Sequence, residues 1–183
     1  MEYLVTCKKV FLQYKDLGVR AIEQLDDAQI NWAPSEESNS IVLIVKHLHG
    51  NMLSRFTDFL TTDGEKEWRN RDNEFISNRN VSMDELMKMW DEGWDLFLRT
   101  LNSLTENDLD KIVKIRGEDH TVFEALQRQT AHYSYHIGQI VYLAKACADK
   151  NWESLSIPKG KSKEFNEKFF SRRASEGGQK TRQ

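Results

Sequence analysis

Two prolines and nine glycines among 183 residues are too few for a fold made of many tight turns, which excludes a turn-rich β sandwich or barrel. Cysteine is nearly absent too: Cys7 and Cys147 form no CxxC pair, so neither a disulfide framework nor a cysteine-based zinc site is available, and both read as small core residues. No window approaches the ~18 consecutive apolar residues of a membrane span. Met1 to Asp16 carries charges at Glu2, Lys8, Lys9, Lys15 and Asp16, where a signal peptide needs an apolar run. Nor is there an excess of positive charge: 26 Lys and Arg stand against 29 Asp and Glu, a net charge of −3 that offers no field for nucleic acid. The expectation is a cytoplasmic protein that engages neither membrane nor nucleic acid. Familiar catalytic signatures are missing as well. There is no GxSxG, P-loop or GxGxxG, no HExxH of a zincin peptidase, and no ExxH pairs of a di-iron bundle.

What the chain does have is 39% hydrophobic and 30% charged residues, enough for one sizeable core that needs no structural metal. The fold class expected is all-α. Leu4, Cys7, Phe11, Tyr14, Gly18, Ala21 and Leu25 recur at helical spacing and define a first amphipathic helix, about Glu2 to Leu25, ended by Asp26 and Asp27. Residues 28–39 read as a loop. Ser40 is the expected N-cap of a second helix, Ile41 to about Leu60, which is apolar around most of its circumference. Thr61 to Val81 is a long polar connection with Trp68, Phe75 and Ile76, expected to be a packed loop or lid and long enough for a crossover. Ser82 caps a third helix with the stripe Leu86, Trp90, Trp94, Phe97, Leu101 and Leu104. A β-prone piece around Lys111 to His120, with a Gly-Glu-Asp turn, reads as a small hairpin or extended loop, and Thr121 caps a fourth helix to about Lys150. Four such helices, with no internal repeat, make a four-helix bundle over residues 1–166. Residues 159–183 hold eight Lys and Arg against three Glu, a local +5 within a total of −3, and residues 167–183 are expected to be a disordered basic tail.

The chemistry concentrates in T-A-H-Y-S-Y-H-I-G-Q-I-V-Y, Thr130 to Tyr142. On a helix of about 3.6 residues per turn, His132 and His136 share one face roughly 5–6 Å apart. The stripe Ala125, Gln129, His132, His136, Ile140 and Leu143 turns that face inward. Two readings are open: a pair of hydrogen-bonded core histidines, or two ligands of one metal ion. Helix two adds His47 and His49, which project about 200° apart, so at most one joins the pair, and periodicity does not choose between them.

His47-Leu48-His49-Gly50-Asn51, the Trp68 to Phe75 loop with its W-x-x-R-D-x-E-F character, H-Y-S-Y-H-I-G-Q-I and the terminal Leu155 to Asn166 together resemble the DinB/YfiT-like superfamily of metal-dependent enzymes. The closest likeness is to a subfamily of unassigned function, and it extends over nearly the whole chain to Asn166. The resemblance implies a four-helix bundle with a long crossover between helices two and three. It also implies a divalent metal, zinc or nickel first and iron or manganese next, held by His47, His132 and His136. A low-molecular-weight thiol or a water would be activated there for transfer to a small-molecule substrate, a thiol-dependent transferase reading. The competing reading is a non-catalytic metal-binding or stress-related interaction protein. No catalytic residue is assigned. Arg55 and Arg71, with Arg69, are candidates for holding carboxylates of a thiol or substrate, and Asn51 and Gln139 for orienting ligands or a bound water. Gly138 is expected to permit close helix packing, and Tyr133 and Tyr135 to pack. A homodimer is expected from the resemblance and from the wide apolar band of helix two.

Overall fold

The computed structural model describes residues 3–76 and 79–177. In chain order the helices are α1 (Tyr3–Ile22), α2 (Asp27–Asn31), α3 (Ile41–Phe56), α4 (Arg71–Glu74), α5 (Met83–Ser103), α6 (Val122–Ala148) and α7 (Ser162–Gly177). One antiparallel pair of strands, β1 (Ile112–Ile115) and β2 (Glu118–Thr121), precedes α6. The chain is thus mostly helical, with a small sheet, and divides into two compact units, Met1–Asn151 and Trp152–Gln183.

The helix starts follow from local chemistry. Ser40, Ser82 and Thr121 each accept a hydrogen bond from the backbone N–H three residues on, and Glu85 and Glu124 return the bond in the last two cases. Such caps contribute about 1 kcal/mol each. Two expectations are corrected here. Asp26 does not simply end α1: it caps α2, with Gln29 closing the box, so a short helix occupies what reads as loop. The second long helix stops at Phe56, and Asp58 beyond it adopts φ +51°, a left-handed conformation that cannot continue a helix. The expected first residue of α1, Glu2, lies outside the described residues.

Packing contacts fix the helix directions. Tyr3 meets Phe123 and Phe11 meets Tyr133, with ring centroids 4.6 and 5.8 Å apart, so α1 and α6 run parallel. His49 meets Glu92 at 3.0 Å, and the Thr100 hydroxyl donates to the Phe56 carbonyl at 3.2 Å, so α3 and α5 are parallel as well. Parallel neighbours need a returning connection, and residues 57–82 supply it. Phe11 against Phe97 (4.5 Å) and Lys15 beside Asp91 and Asp95 (3.6 and 3.5 Å) make α1 antiparallel to α5. The fourth neighbouring pair is α3 with α6. At the centre Phe11, Trp94, Phe97 and Tyr133 are fully buried. Burying each stabilises the fold by roughly 2–3 kcal/mol, and Tyr133 brings this core directly beneath the histidine face of α6.

The hairpin forms, but its turn is Arg116-Gly117 (φ +56° and +79°), one step before the expected Gly-Glu-Asp. Two consecutive positive φ values suit the right-handed twist of a two-residue hairpin loop. Asp63 clamps this turn, its carboxylate accepting from the Arg116 and Gly117 N–H groups at 2.9 and 2.7 Å. The Gly64 N–H donates to Lys114 O at 2.8 Å, and Ser54 of α3 donates to Gly64 O at 2.7 Å. The hairpin tip is therefore tied to the end of α3.

In the second unit α7 runs to Gly177 where a structureless tail from 167 was expected, and the first unit ends at Asn151 and not at Asn166. Glu164 takes ion pairs from Lys161 and Lys168 at helical spacing, local support that composition alone does not display. Residues 178–183 of the expected tail lie outside the described residues.

Candidate metal centre

The inward stripe of α6 falls where its spacing puts it: Ala125, Gln129, His136, Ile140 and Leu143 are buried and His132 is half-buried. Across from it, His47 is the histidine of α3 that turns the same way. Its ring nitrogen and those of His132 and His136 lie within 4.8 Å of one another. His49 turns to Glu92 on α5 and stays out of the group.

Each imidazole is prepared as a ligand. His47 Nδ1 donates to Glu74 Oε2 at 2.9 Å, because an ionised carboxylate only accepts, and this leaves the Nε2 lone pair free. His136 Nδ1 donates to Gln139 Oε1 at 2.8 Å, again leaving Nε2 bare. His47 Nε2 sits 3.1 Å from His132 Nε2, while His136 Nε2 is buried with no hydrogen-bond partner among the described residues. Burial, reinforced by His136 and His47, pushes His132 down to about 3. Burial likewise pushes His136 down to about 4, against the bond to Gln139 that favours its charged form. Both are neutral at pH 7, the form that binds metal. Three converging imidazoles, His132 and His136 among them neutral and His136 with a buried nitrogen unsatisfied among the described residues, fit a divalent cation better than a self-satisfied core pair.

Glu74 is the functional residue that sequence periodicity misses. It stands at the end of α4 in the returning connection and is buried. Arg69, its side chain 3% exposed, grips it through Nε and Nη2 at 2.8 and 3.0 Å. Burial alone would raise the Glu74 carboxyl, but His47 and Arg69 more than offset that and hold it below the usual range. The carboxylate passes so close to α3 that a Cβ on Gly50 would lie 2.2 Å from Oε1, which accounts for glycine one turn after His47. The only signal for Glu74 was the Trp68 to Phe75 loop pattern, which carried no role for it.

The other candidates divide. Gln139 orients His136 as expected. Asn51 does not touch a histidine: its Oδ1 accepts from the Tyr133 hydroxyl at 3.2 Å and anchors the core beneath the site. Tyr135 is exposed, its ring tilted against His136 at 4.1 Å, and does not pack inward. Gly138 has nothing within 4 Å of where its Cβ would be, so it permits no close packing. Arg71 lies over the Phe75 ring at 5.3 Å, and that ring backs His47 at 5.1 Å. Arg55 is 5% exposed, and its Nε and Nη1 have no hydrogen-bond partner among the described residues. His47 and His132 open onto a cavity of about 240 Å³ that Asn51, Gln129, Tyr135 and five arginines line: Arg55, Arg69, Arg71, Arg116 and Arg128.

A family model described as "Protein of unknown function (DUF1572)" matches residues 1–161. No curated protein matches the sequence. The fold is similar to that of a conserved protein from Enterococcus faecalis known from its crystal structure, with a TM-score of 0.61 and 14% identity, the match covering 79% of this chain and 96% of that one. At that identity the likeness concerns the fold.

Proposed function

We propose a function for this chain, which belongs to the DUF1572 family of proteins of unknown function, from the geometry of its histidine cluster. The protein is a metal-dependent enzyme of the DinB-like kind that acts on a small molecule, with His47, His132 and His136 as metal ligands. The observation that carries this reading is the buried Nε2 of His136, without a hydrogen-bond partner among the described residues, beside the His47–His132 pair. A DinB/YfiT-type four-helix bundle is supported by the cyclic arrangement α1-α6-α3-α5 and by the long connection that returns α3 to a parallel α5.

Imidazole donors suit zinc or nickel, and also iron or manganese. A divalent ion held by His47, His132 and His136 would supply Lewis-acid activation of a water or thiol at neutral pH. The chain's own residues do the rest. Glu74 and Gln139 fix the ring tautomers, Tyr133 and Asn51 hold the floor of α6 against α3, and the cavity lets a small molecule approach His47 and His132. That open side favours an enzyme over a closed metal-binding or interaction protein, and a low-molecular-weight thiol is the co-substrate the resemblance suggests. The homodimer proposal rests on that resemblance too, since α2, α4, α5 and α6 together cover α3 within one chain. Sedimentation near 21.5 kDa would sink it.

The test is metal content of tag-free protein purified without chelator. One divalent ion per chain is expected, with sharp loss in His47→Ala, His132→Ala and His136→Ala and full retention in His49→Ala and His120→Ala. Full occupancy after loss of His132 refutes the triad.

A further inference from the structure

We propose that the cavity beside the histidines is an anion subsite, built by Arg55, Arg71 and Arg128, that receives the carboxylate or phosphate group of the substrate. This deepens the enzyme reading above and rests on it for the word substrate, although the binding itself does not require the metal.

The charge balance of the cavity carries the argument. Its lining contains five arginines and no carboxylate. Two of the five are matched elsewhere: Arg69 by Glu74, and Arg116 by Glu65 at 3.1 Å. Arg55, Arg71 and Arg128 have no ion-pair partner among the described residues. Arg71 lies against the face of Phe75.

Arg55 is the decisive one. A buried guanidinium with unpaired N–H groups is among the least favourable arrangements in a protein interior, and it persists where something else is served. Burial lowers its pKa, Tyr133 and Glu65 offset this only in part, and Arg69 and Arg128 add repulsion. The fold nevertheless holds it there: Gly64, pinned to Ser54 and to the hairpin, passes so close that a Cβ would lie 2.7 Å from Arg55 Cδ and Nη1. The same hairpin places Arg116 on the rim through the Asp63 clamp. The unpaired Arg55 and four further arginines thus converge from α3, the loop, the hairpin and α6 on one small space.

Arginine in such a cluster matches oxyanions, whose oxygens take several N–H donors at once. A cavity of about 240 Å³ is small and suits the head of a small molecule, not a polymer. Because His47 and His132 share the lining, an anionic group held by the arginines leaves the remainder of the molecule beside the histidines. Carboxylate and phosphate satisfy this chemistry equally, and the probes separate them.

The experiment is calorimetric titration of inorganic phosphate and of succinate into the full chain, metal-free and zinc-loaded. The variants are Arg128→Gln and Arg71→Gln, both at exposed positions that leave the fold intact, and Arg99→Gln on the outer face of α5 is the control. The metal-free protein is expected to bind at least one probe, with affinity falling roughly tenfold in each cavity variant and unchanged in Arg99→Gln. The tighter probe identifies the anionic group. Binding confined to the zinc-loaded form, or equal in Arg128→Gln and wild type, overturns the subsite while leaving the metal reading in place. Phosphate or succinate binding that depends on Arg128 in a protein that never takes up metal supports the subsite and sinks the metal reading instead.

Discussion

Replacing Glu74 by Ala removes three short contacts at once: the 2.9 Å bond from His47 Nδ1 and the 2.8 and 3.0 Å bonds from Arg69. Arg69, with its side chain 3% exposed, keeps its buried place, so its guanidinium loses its carboxylate partner with little access to water. Removing one partner of a buried ion pair costs about 3–5 kcal/mol. In a domain of about 150 residues each kcal/mol lowers Tm by about 2–4 °C, which gives a drop of about 6–20 °C. Glu74→Gln keeps the shape and one acceptor and should lose about half as much. Both variants also release the His47 ring, and loss of such an orienting bond weakens metal binding about 10–100-fold. Thermal unfolding of metal-free protein, followed by circular dichroism, reads the first effect, and competition with a chromogenic chelator reads the second. The double variant Arg69→Met/Glu74→Met separates them, because it removes the stranded charge and recovers stability while His47 still lacks its partner. Tm within about 2 °C of wild type in Glu74→Ala, together with unchanged metal affinity, would refute the reasoning.

Other outcomes follow from the same geometry. Gly50→Ala places a Cβ 2.2 Å from Glu74 Oε1 and should weaken metal binding in the direction of Glu74→Gln, whereas Gly138→Ala, with open space around it, should only stabilise α6, by about 1 kcal/mol; chelator competition and thermal melts distinguish the two. Metal-free protein should lose stability as pH falls below the ordinary histidine value of 6.5, progressively toward 4 for His136 and 3 for His132. The sign is set by the unfolded chain, which binds protons on these rings before the folded one does, so each pH unit removes up to about 1.4 kcal/mol per histidine. Melts between neutral and acidic pH should show this slope flattened in His132→Gln/His136→Gln, and an unchanged slope counts against buried neutral rings. Truncation after Asn166 should leave Tm nearly unchanged, since Phe169 and Phe170 are exposed, and a large drop would show that they serve the fold.

Much of this was legible because it is local. The caps at Ser40, Ser82 and Thr121 depend on residues three apart, and the inward turn of His132 and His136 depends on spacing along one helix. The choice of His47 over His49 was not local: it came from resemblance, and the structure supplies the physical reason, since Glu92 on α5 takes His49. Glu74 acts on His47 from 27 residues away, in a connection without periodicity, and its role exists only because parallel α3 and α5 force that connection back across the site. Gly50 could be seen but not explained until the carboxylate above it was known. Nothing in the sequence marks Arg128 or Arg116 as part of a site. Only the convergence of hairpin, loop and helix makes them neighbours of Arg55. Asn51 was assigned to the histidines because it lies one turn from His47, yet its oxygen belongs to Tyr133, a residue of the opposite helix.

X-ray absorption at the edge of the bound metal tests the central claim most directly, because it counts the donor atoms around the ion in solution. Three imidazole nitrogens with light-atom ligands completing the shell are predicted, falling to two nitrogens in His132→Ala protein forced to full loading. A shell that contains sulfur from Cys7 or Cys147, or one unchanged by loss of His132, would contradict the account.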